Sequence, residues 1–431
     1  MVNYLLTAFE FNEAFGTTKE AKMPVRGTLK RLGGACAVAV FSLSFIFSPV
    51  QAQAEPGFER WVKSFRATAV KSGVSGRTFD RAFRGVTSVD AEVLEKAQTQ
   101  PEFSAPVWDY FDNRVHEDSI ANGRAMARKY KAWLDRIEAR FGVDRHILLA
   151  IWSMESNYGE ILKNDKVMRS VVRSLSTLAY ADKRRAKFAR TQLIAALKIL
   201  QTGDIDESHL QGSWAGAMGH TQFIPTSYQA YAVDMDGNGK RDIWNSVPDA
   251  LATAANLLRK NGWQSGRTWG YEVALPSGGG KFPGGSLSLS KWQSLGLTRA
   301  SGKPFPYPSD KAELKALDGR EGPAFLMTKN FFVLKRYNNA DKYALAVGLL
   351  ADQIAGYGPL VQDWQRPFTK LSFAEKMELQ KRLYESGYYE GKFDGKIGSG
   401  SRQAIMSFQQ RSGLTPDGHP SMEVLKSLRR Q

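Results

Sequence analysis

One carboxylate in the stretch IWSMESNYGE, residues 151–160, sits where an ionised carboxylate is costly. Leu148, Ile151 and Trp152 lie seven, four and three positions before Glu155, so a helix through HILLAIWSME places Glu155 on an apolar stripe. Burying an ionised side chain is unfavourable unless it is paired or its pKa rises. A Glu kept protonated near neutral pH is a general acid, whereas a Glu paired with one of the many Arg and Lys residues is a structural ion pair. The helix taken by itself allows both.

A second stretch, SWAGAMGHTQFIPTSY at residues 213–228, has the chemistry of a carbohydrate site. Ser213 and Gln222 supply hydrogen bonds, and Trp214, Phe223 and Tyr228 offer faces for a sugar ring. The small residues between them let the backbone approach a ligand. A core loop of the same composition is the alternative. A third stretch, DMDGNGKRDIWN at residues 234–245, fits the opening of an EF-hand. Asp234, Asp236 and Asn238 stand at the first three ligand positions, and Lys240 stands where a backbone carbonyl serves. Asn245 replaces the closing Glu, so the competing reading is a loop tied by its own Asx turns. The five histidines show no metal spacing, and there is no G-x-S-x-G elbow or phosphate loop.

The elements that must carry these residues are mainly helical, an α+β chain with a small β insertion. Trp61, Phe65 and Val70 mark an early amphipathic helix, and Ser246-Val-Pro-Asp opens another that stops at Asn261-Gly262. Residues 271–276 and 330–337 (NFFVLKRY) read as short strands, separated by a Gly-rich loop at 278–286. Helix returns over 339–355, and a linker is expected at 361–370. Residues 371–431 read as a separate three-helix unit. Its helices are marked by Met377, Leu383 and Tyr384, then Ile405 and Phe408, then Val424, Leu425 and Leu428. Two turn sequences of similar design, ending in Asp394-Gly395 and Asp417-Gly418, join them.

Residues 1–54 are expected to be removed on export. Arg26, Lys30 and Arg31 precede an apolar run that ends at Ala52-Gln-Ala54, an A-x-A cleavage pattern, and Met23 is a candidate true start. The single cysteine, Cys36, precedes the apolar run, so a lipid anchor at the cleavage point is not expected and the remaining chain has no disulfide. These residues hold five Lys/Arg and three Asp/Glu, so the chain after them keeps +14 of the full +16. A basic exported protein points to a polyanion in a bacterial periplasm. Acidic wall peptides, or peripheral contact with an anionic membrane surface, fit better than nucleic acid. The chain is expected to be monomeric.

The segments ESNYG, GAMGHTQFIPTSY, DMDGNG and YNNADKYA, in this order over residues 57–360, resemble the membrane-bound lytic murein transglycosylase B family, with its lysozyme-like catalytic core. The C-terminal LQKRLYESGYYEGKFDGKIG and RQAIMSFQQRSGLTPDG resemble a three-helix peptidoglycan-binding domain. The resemblance implies a catalytic domain at 55–360 that cleaves the MurNAc-β-1,4-GlcNAc bond of glycan strands without net hydrolysis, giving 1,6-anhydro ends. It places the single catalytic acid on Glu155 and substrate contacts on Ser213, Gln222, Tyr337 and Asn338. It also implies a calcium loop closed by Asp249, with no other cofactor required. A hydrolytic muramidase and a non-catalytic wall-binding scaffold are the alternatives.

Overall fold

The computed structural model describes residues 55–98, 106–276 and 282–431; the export segment read at 1–54 lies outside them, as does part of the Gly-rich loop. The chain opens with helices α1 (Pro56–Lys71), α2 (Gly76–Ala82), α3 (Ala91–Gln98), α4 (Val107–Asp112), α5 (Glu117–Lys129), α6 (Lys131–Phe141) and α7 (Arg145–Ser156). In α1 Phe65 is buried but Val70 is exposed, so the core face is narrower than its apolar residues suggest. A two-residue ladder of β1 (Arg169–Ser170) and β2 (Gln211–Gly212) brackets α8 (Val171–Ala181) and α9 (Ala186–Thr202); α10 (Pro225–Tyr231) and α11 (Val247–Lys260) follow.

The β insertion is one antiparallel sheet of β3 (Gly270–Ala274), β4 (Ser286–Ser288), β5 (Thr298–Arg299), β6 (Lys311–Ala316) and β7 (Ala324–Thr328), in the order β4-β6-β7-β3-β5, with α12 (Leu289–Ser294) after β4. In β7, Ala324 and Leu326 join a satellite cluster with Val273 and Trp292, while Phe325 and Met327 enter the main core. Both faces are covered, so β7 is buried throughout and its first four residues are apolar instead of alternating.

The strand expected at 330–337 is instead helix α13 (Lys329–Leu334). A short apolar run reads alike as a buried strand or a buried helix turn. Tertiary contacts decide it here: the buried Asn330 side chain accepts from Gln264 N at 2.8 Å and donates to the carbonyls of Gln264 and Arg267.

Helix α14 (Asp341–Ala355) closes the core by packing antiparallel on α7, and nine of the twelve α7 residues are buried. An interior helix of this kind is apolar around most of its circumference.

Helices α15 (Phe373–Glu385), α16 (Ser399–Arg411) and α17 (Met422–Arg429) form the C-terminal unit around Leu379, Leu383, Ile405, Phe408, Val424, Leu425 and Leu428. Met377 and Tyr384, expected to mark the first helix, are 37% and 55% exposed; Leu379 takes the core position instead. The similar design of the two turns has a physical cause. Gln380 Oε1 accepts from Gly395 N at 2.7 Å and its amide donates to Asp394, and Gln409 repeats both contacts with Gly418 and Asp417.

Residues 357–370, the region of the expected linker, are irregular but fastened. Glu272 accepts from Val361 N and Gln362 N, and Trp364 stacks on Phe111 at 4.4 Å. Asp109 pairs with Arg402 of the C-terminal unit, and Asp112 pairs with Arg366 at 2.7 Å.

Candidate active site

Helix α7 starts at Asp144, whose carboxylate accepts from His146 N at 2.7 Å, and delivers Glu155 in its last turn. Beyond it the chain reverses through Asn157, Tyr158 and Gly159 at φ 49°, 56° and 89°. Gly159 is required there, since a Cβ would lie 2.6 Å from the His220 ring. Asn157, Tyr158 and Gln222 are the non-glycine residues with left-handed backbone among the described residues. Such conformations concentrate where surrounding structure holds a functional geometry.

Glu155 is 3% exposed. Burial drives its carboxyl up to about 8, against the opposing pull of the Tyr343 hydroxyl and the Arg114 charge. Tyr343, on α14, donates to Glu155 Oε1 at 2.5 Å. Among the described residues Arg114 is the one charged group acting on Glu155, and no neighbouring carboxylate contributes. Glu155 has no salt-bridge partner there, so the ion-pair reading does not describe it.

Tyr343 stacks on Tyr337 at 6.4 Å, and the Tyr337 hydroxyl donates to Thr221 O at 2.5 Å. The 213–223 loop is bolted to the end of α7 through His220. Its Nδ1 accepts from Trp152 Nε1 at 3.1 Å, and its carbonyl accepts from Ser156 Oγ at 2.6 Å. Burial lowers His220 to about 4, and an accepting Nδ1 puts the proton of its neutral ring on Nε2. Glu155, Tyr343, Tyr337, Thr221, His220 and Trp152 thus form a continuous chain of contacts that returns to α7.

Several sequence expectations are corrected. Trp214, Phe223 and Tyr228 are buried and offer no open face to a sugar. Trp214 packs beside Leu178 and Ala189, Phe223 lies edge-on to Tyr337, and the Tyr228 hydroxyl donates to Arg241 O at 2.6 Å. The glycines of the loop make room for the protein itself. A Cβ at Gly212 would meet Ala217 O at 2.5 Å, and one at Gly219 would meet Ile243 O. Ser213 is buried, and its hydroxyl accepts from Ala217 N at 3.1 Å, closing the turn. Gln222 is also buried, and its amide donates to Gly219 O at 2.9 Å.

Asn338 is buried next to Tyr337, and its Oδ1 has no hydrogen-bond partner. A buried acceptor left open is costly unless a ligand or water satisfies it. Tyr343 carries the direct contact to Glu155 and was not singled out from sequence. The signal available was its position inside YNNADKYA, one short segment after Tyr337.

The 234–249 loop joins this network through Ile243, whose carbonyl accepts from His220 N at 2.9 Å. The carboxylates of Asp234, Asp236 and Asp249 converge, with ligand atoms within 4.8 Å of one another. Asp249 is fully buried, and its oxygens accept from Met235 N, Asp236 N and Asp242 N at 2.8, 3.3 and 2.9 Å. Burial raises its pKa, and the neighbouring Asp236 charge adds to this. No ion pair to any of the three occurs among the described residues. Three converging hard oxygen donors without a cation suit calcium. The loop is also tied by its own Asx turns: Asp234 accepts from Gly237 N and Gly239 N, Asp236 accepts from Asn238 N and Ser246 Oγ, and Asn238 Oδ1 accepts from Lys240 N. At position twelve Asn245 Nδ2 donates to Asp242.

Residues 57–352 match the Transglycosylase SLT domain family, and residues 375–428 match a peptidoglycan binding domain. Membrane-bound lytic murein transglycosylase B of Escherichia coli (strain K12) is 31% identical over 245 residues, which span 56% of this chain and 65% of that relative. The chain therefore aligns with a little under two thirds of that protein's length. SltB3 from Pseudomonas aeruginosa, solved in complex with NAG-anhNAM-pentapeptide, is 44% identical with a TM-score of 0.68, covering 87% of this chain and 100% of that one. Escherichia coli Slt35, solved in complex with calcium, is 26% identical with a TM-score of 0.57, covering 70% and 93%. With a family match across more than half its length, the chain belongs to the transglycosylase SLT domain family.

Proposed function

We propose that this chain is a lytic transglycosylase of peptidoglycan in which Glu155 serves first as acid and then as base. The carrying observation is the isolation of Glu155: buried, held near pKa 8, and acted on by no other carboxylate of the described residues. Two-carboxylate glycosidases place a second acid about 5–9.5 Å from the first; the Glu155 environment supplies a tyrosine hydroxyl instead.

Protonated Glu155 gives its proton to the glycosidic oxygen as the bond from muramic C1 breaks. The resulting carboxylate then takes the proton of the muramic C6 hydroxyl, whose oxygen closes on C1. The product is a 1,6-anhydro ring, and no water is consumed. The substrate's N-acetyl group supports the charge developing at C1, as in substrate-assisted glycosidases. The open Oδ1 of Asn338 is suited to accept its N–H. Ser213, Gln222 and Tyr337 serve this scheme by holding the loop and the tyrosine stack in place rather than by presenting open faces.

In this reading the chain acts in the periplasm after loss of its leader, as a monomer, with the C-terminal unit tethering it to the wall. No helix of the described residues is long and apolar enough to cross a membrane; the basic surface is the means of any membrane contact. Calcium on Asp234, Asp236 and Asp249 braces the loop and takes no part in the chemistry. Replacing Glu155 by Gln tests the assignment: turnover of sacculi should vanish while sacculus binding persists. Appreciable residual turnover would refute it.

A further inference from the structure

A pocket of about 760 Å³ lies at the opposite end of the α7–α14 pair from Glu155. His146 lies nine positions before Glu155, and Asp352 lies nine positions after Tyr343. At about 1.5 Å per residue the pocket is therefore roughly 13 Å from the acid. It is not an extension of the Glu155 site.

Its two walls differ in charge. The helical wall carries Asp144 and His146 at the start of α7 and Asp352 near the end of α14. Asp352 accepts from Trp269 Nε1 at 3.1 Å and enters no ion pair among the described residues. The sheet wall carries Arg299 and Lys303, beside Arg267, which pairs with Asp310 at 3.1 Å, and Glu272, which accepts from Val361 N and Gln362 N. Arg299 lies over the Tyr271 ring at 5.0 Å and donates to Pro304 O, and no carboxylate among the described residues pairs with it or with Lys303, which is exposed. Asp144 is in contact with His146 Nδ1 at 2.9 Å, and burial raises the Asp352 carboxyl to about 7. Asp352 on one wall thus faces Arg299 and Lys303 on the other with no charged partner among the described residues, and an arriving ammonium would favour its ionised form.

That arrangement selects among ligands. A nucleic acid or other polyanion is repelled by the helical wall. A bare glycan has the exposed Tyr307 and Tyr357 rings to lie against, but it leaves Asp352, Arg299 and Lys303 without charged partners. A short peptide bearing both an ammonium and carboxylates satisfies both walls, and the volume is that of an ordinary ligand site.

We propose that this pocket binds a peptide stem of peptidoglycan, its ammonium toward Asp352 and Asp144 and its carboxylates toward Arg299 and Lys303. The assignment rests on the peptidoglycan reading above. Because the pocket and Glu155 occupy opposite ends of the helix pair, the stem comes from a saccharide other than the one being cleaved.

Titration calorimetry of the full chain with a free stem pentapeptide containing a diamino acid tests this. Binding should weaken at least tenfold in Lys303→Glu and in Asp352→Asn. The ratio of cleavage rates on peptide-bearing and peptide-free glycan should fall in both variants. Lys303 is exposed, so its charge reversal separates recognition from folding. Failure of the unchanged chain to take up peptide, or variants that bind as it does, would overturn the proposal; so would loss of binding to peptide-free glycan in place of peptide. A chain that binds peptide but cleaves neither glycan would contradict the transglycosylase reading and leave the pocket assignment standing.

Discussion

Glu155 and Asp249 are both buried carboxyls, and burial pushes both upward. What separates them is the set of donors around each. Glu155 receives one hydroxyl, from Tyr343, and no other carboxylate of the described residues acts on it, an environment that favours the protonated form. Asp249 receives three backbone N–H groups and faces two further carboxylates, an arrangement that suits ionised oxygens gathered for a cation. Burial alone does not say whether an acid is a proton carrier or a ligand; the count and type of its donors do.

Neutral substitutions at the two positions should therefore fail in different ways. Glu155→Gln has the largest expected effect on turnover, a loss on the order of 10³-fold or more in the range of general acid–base contributions. Asp249→Asn should leave the Glu155 chemistry in place and act on stability. Its amide would point a donor at a backbone N–H, leaving a buried group unsatisfied at a cost of about 1–3 kcal/mol. Calcium at a hundredfold excess over its Kd should stabilise the unchanged chain by about 2.7 kcal/mol and Asp249→Asn by much less. Thermal denaturation with calcium and with a chelator reads this directly, and equal melting in both conditions for the unchanged chain would remove the calcium loop.

Tyr343→Phe sharpens the acid side of the comparison. The Tyr343 hydroxyl stabilises the charged form of Glu155, so its removal should move the alkaline limb of the kcat profile upward from about 8. An unmoved or lowered limb would show that this hydroxyl does not tune the acid.

The smallest effect is in stability against pH. The folded pKa of Glu155 lies above its ordinary 4.5, so the folded state holds more protons between 4.5 and about 8 and loses stability as pH rises through that window. Glu155→Gln lacks this loss. It should melt above the unchanged chain at pH 8.5, by roughly 4–8 °C for a gain of about 2 kcal/mol, with the gap closing below pH 4.5. A gap independent of pH would contradict a proton held on Glu155.

The burial of Glu155 was legible in sequence because a helix stripe is a local pattern, whereas its role as an acid came only from the family resemblance; the C-terminal unit was legible from its own local patterns. Tyr343 was not, since it reaches Glu155 across 188 residues through the α7–α14 packing. Trp214, Phe223 and Tyr228 have the right types for a sugar platform, but exposure is decided by neighbours that no local pattern reveals. Residues 330–337 misled for a related reason: aromatic and β-branched residues favour a strand, and the buried Asn330 contacts hold a helix instead.

In the proposed reaction one buried acid, Glu155, carries both proton transfers without a second carboxylate of the described residues and without consuming water. Mass spectrometry of the fragments released from purified sacculi tests it most directly. Fragments should end in 1,6-anhydro-muramic acid, each lighter by one water than its hydrolytic counterpart; reducing ends in their place would show that water, and not the C6 hydroxyl, attacks C1.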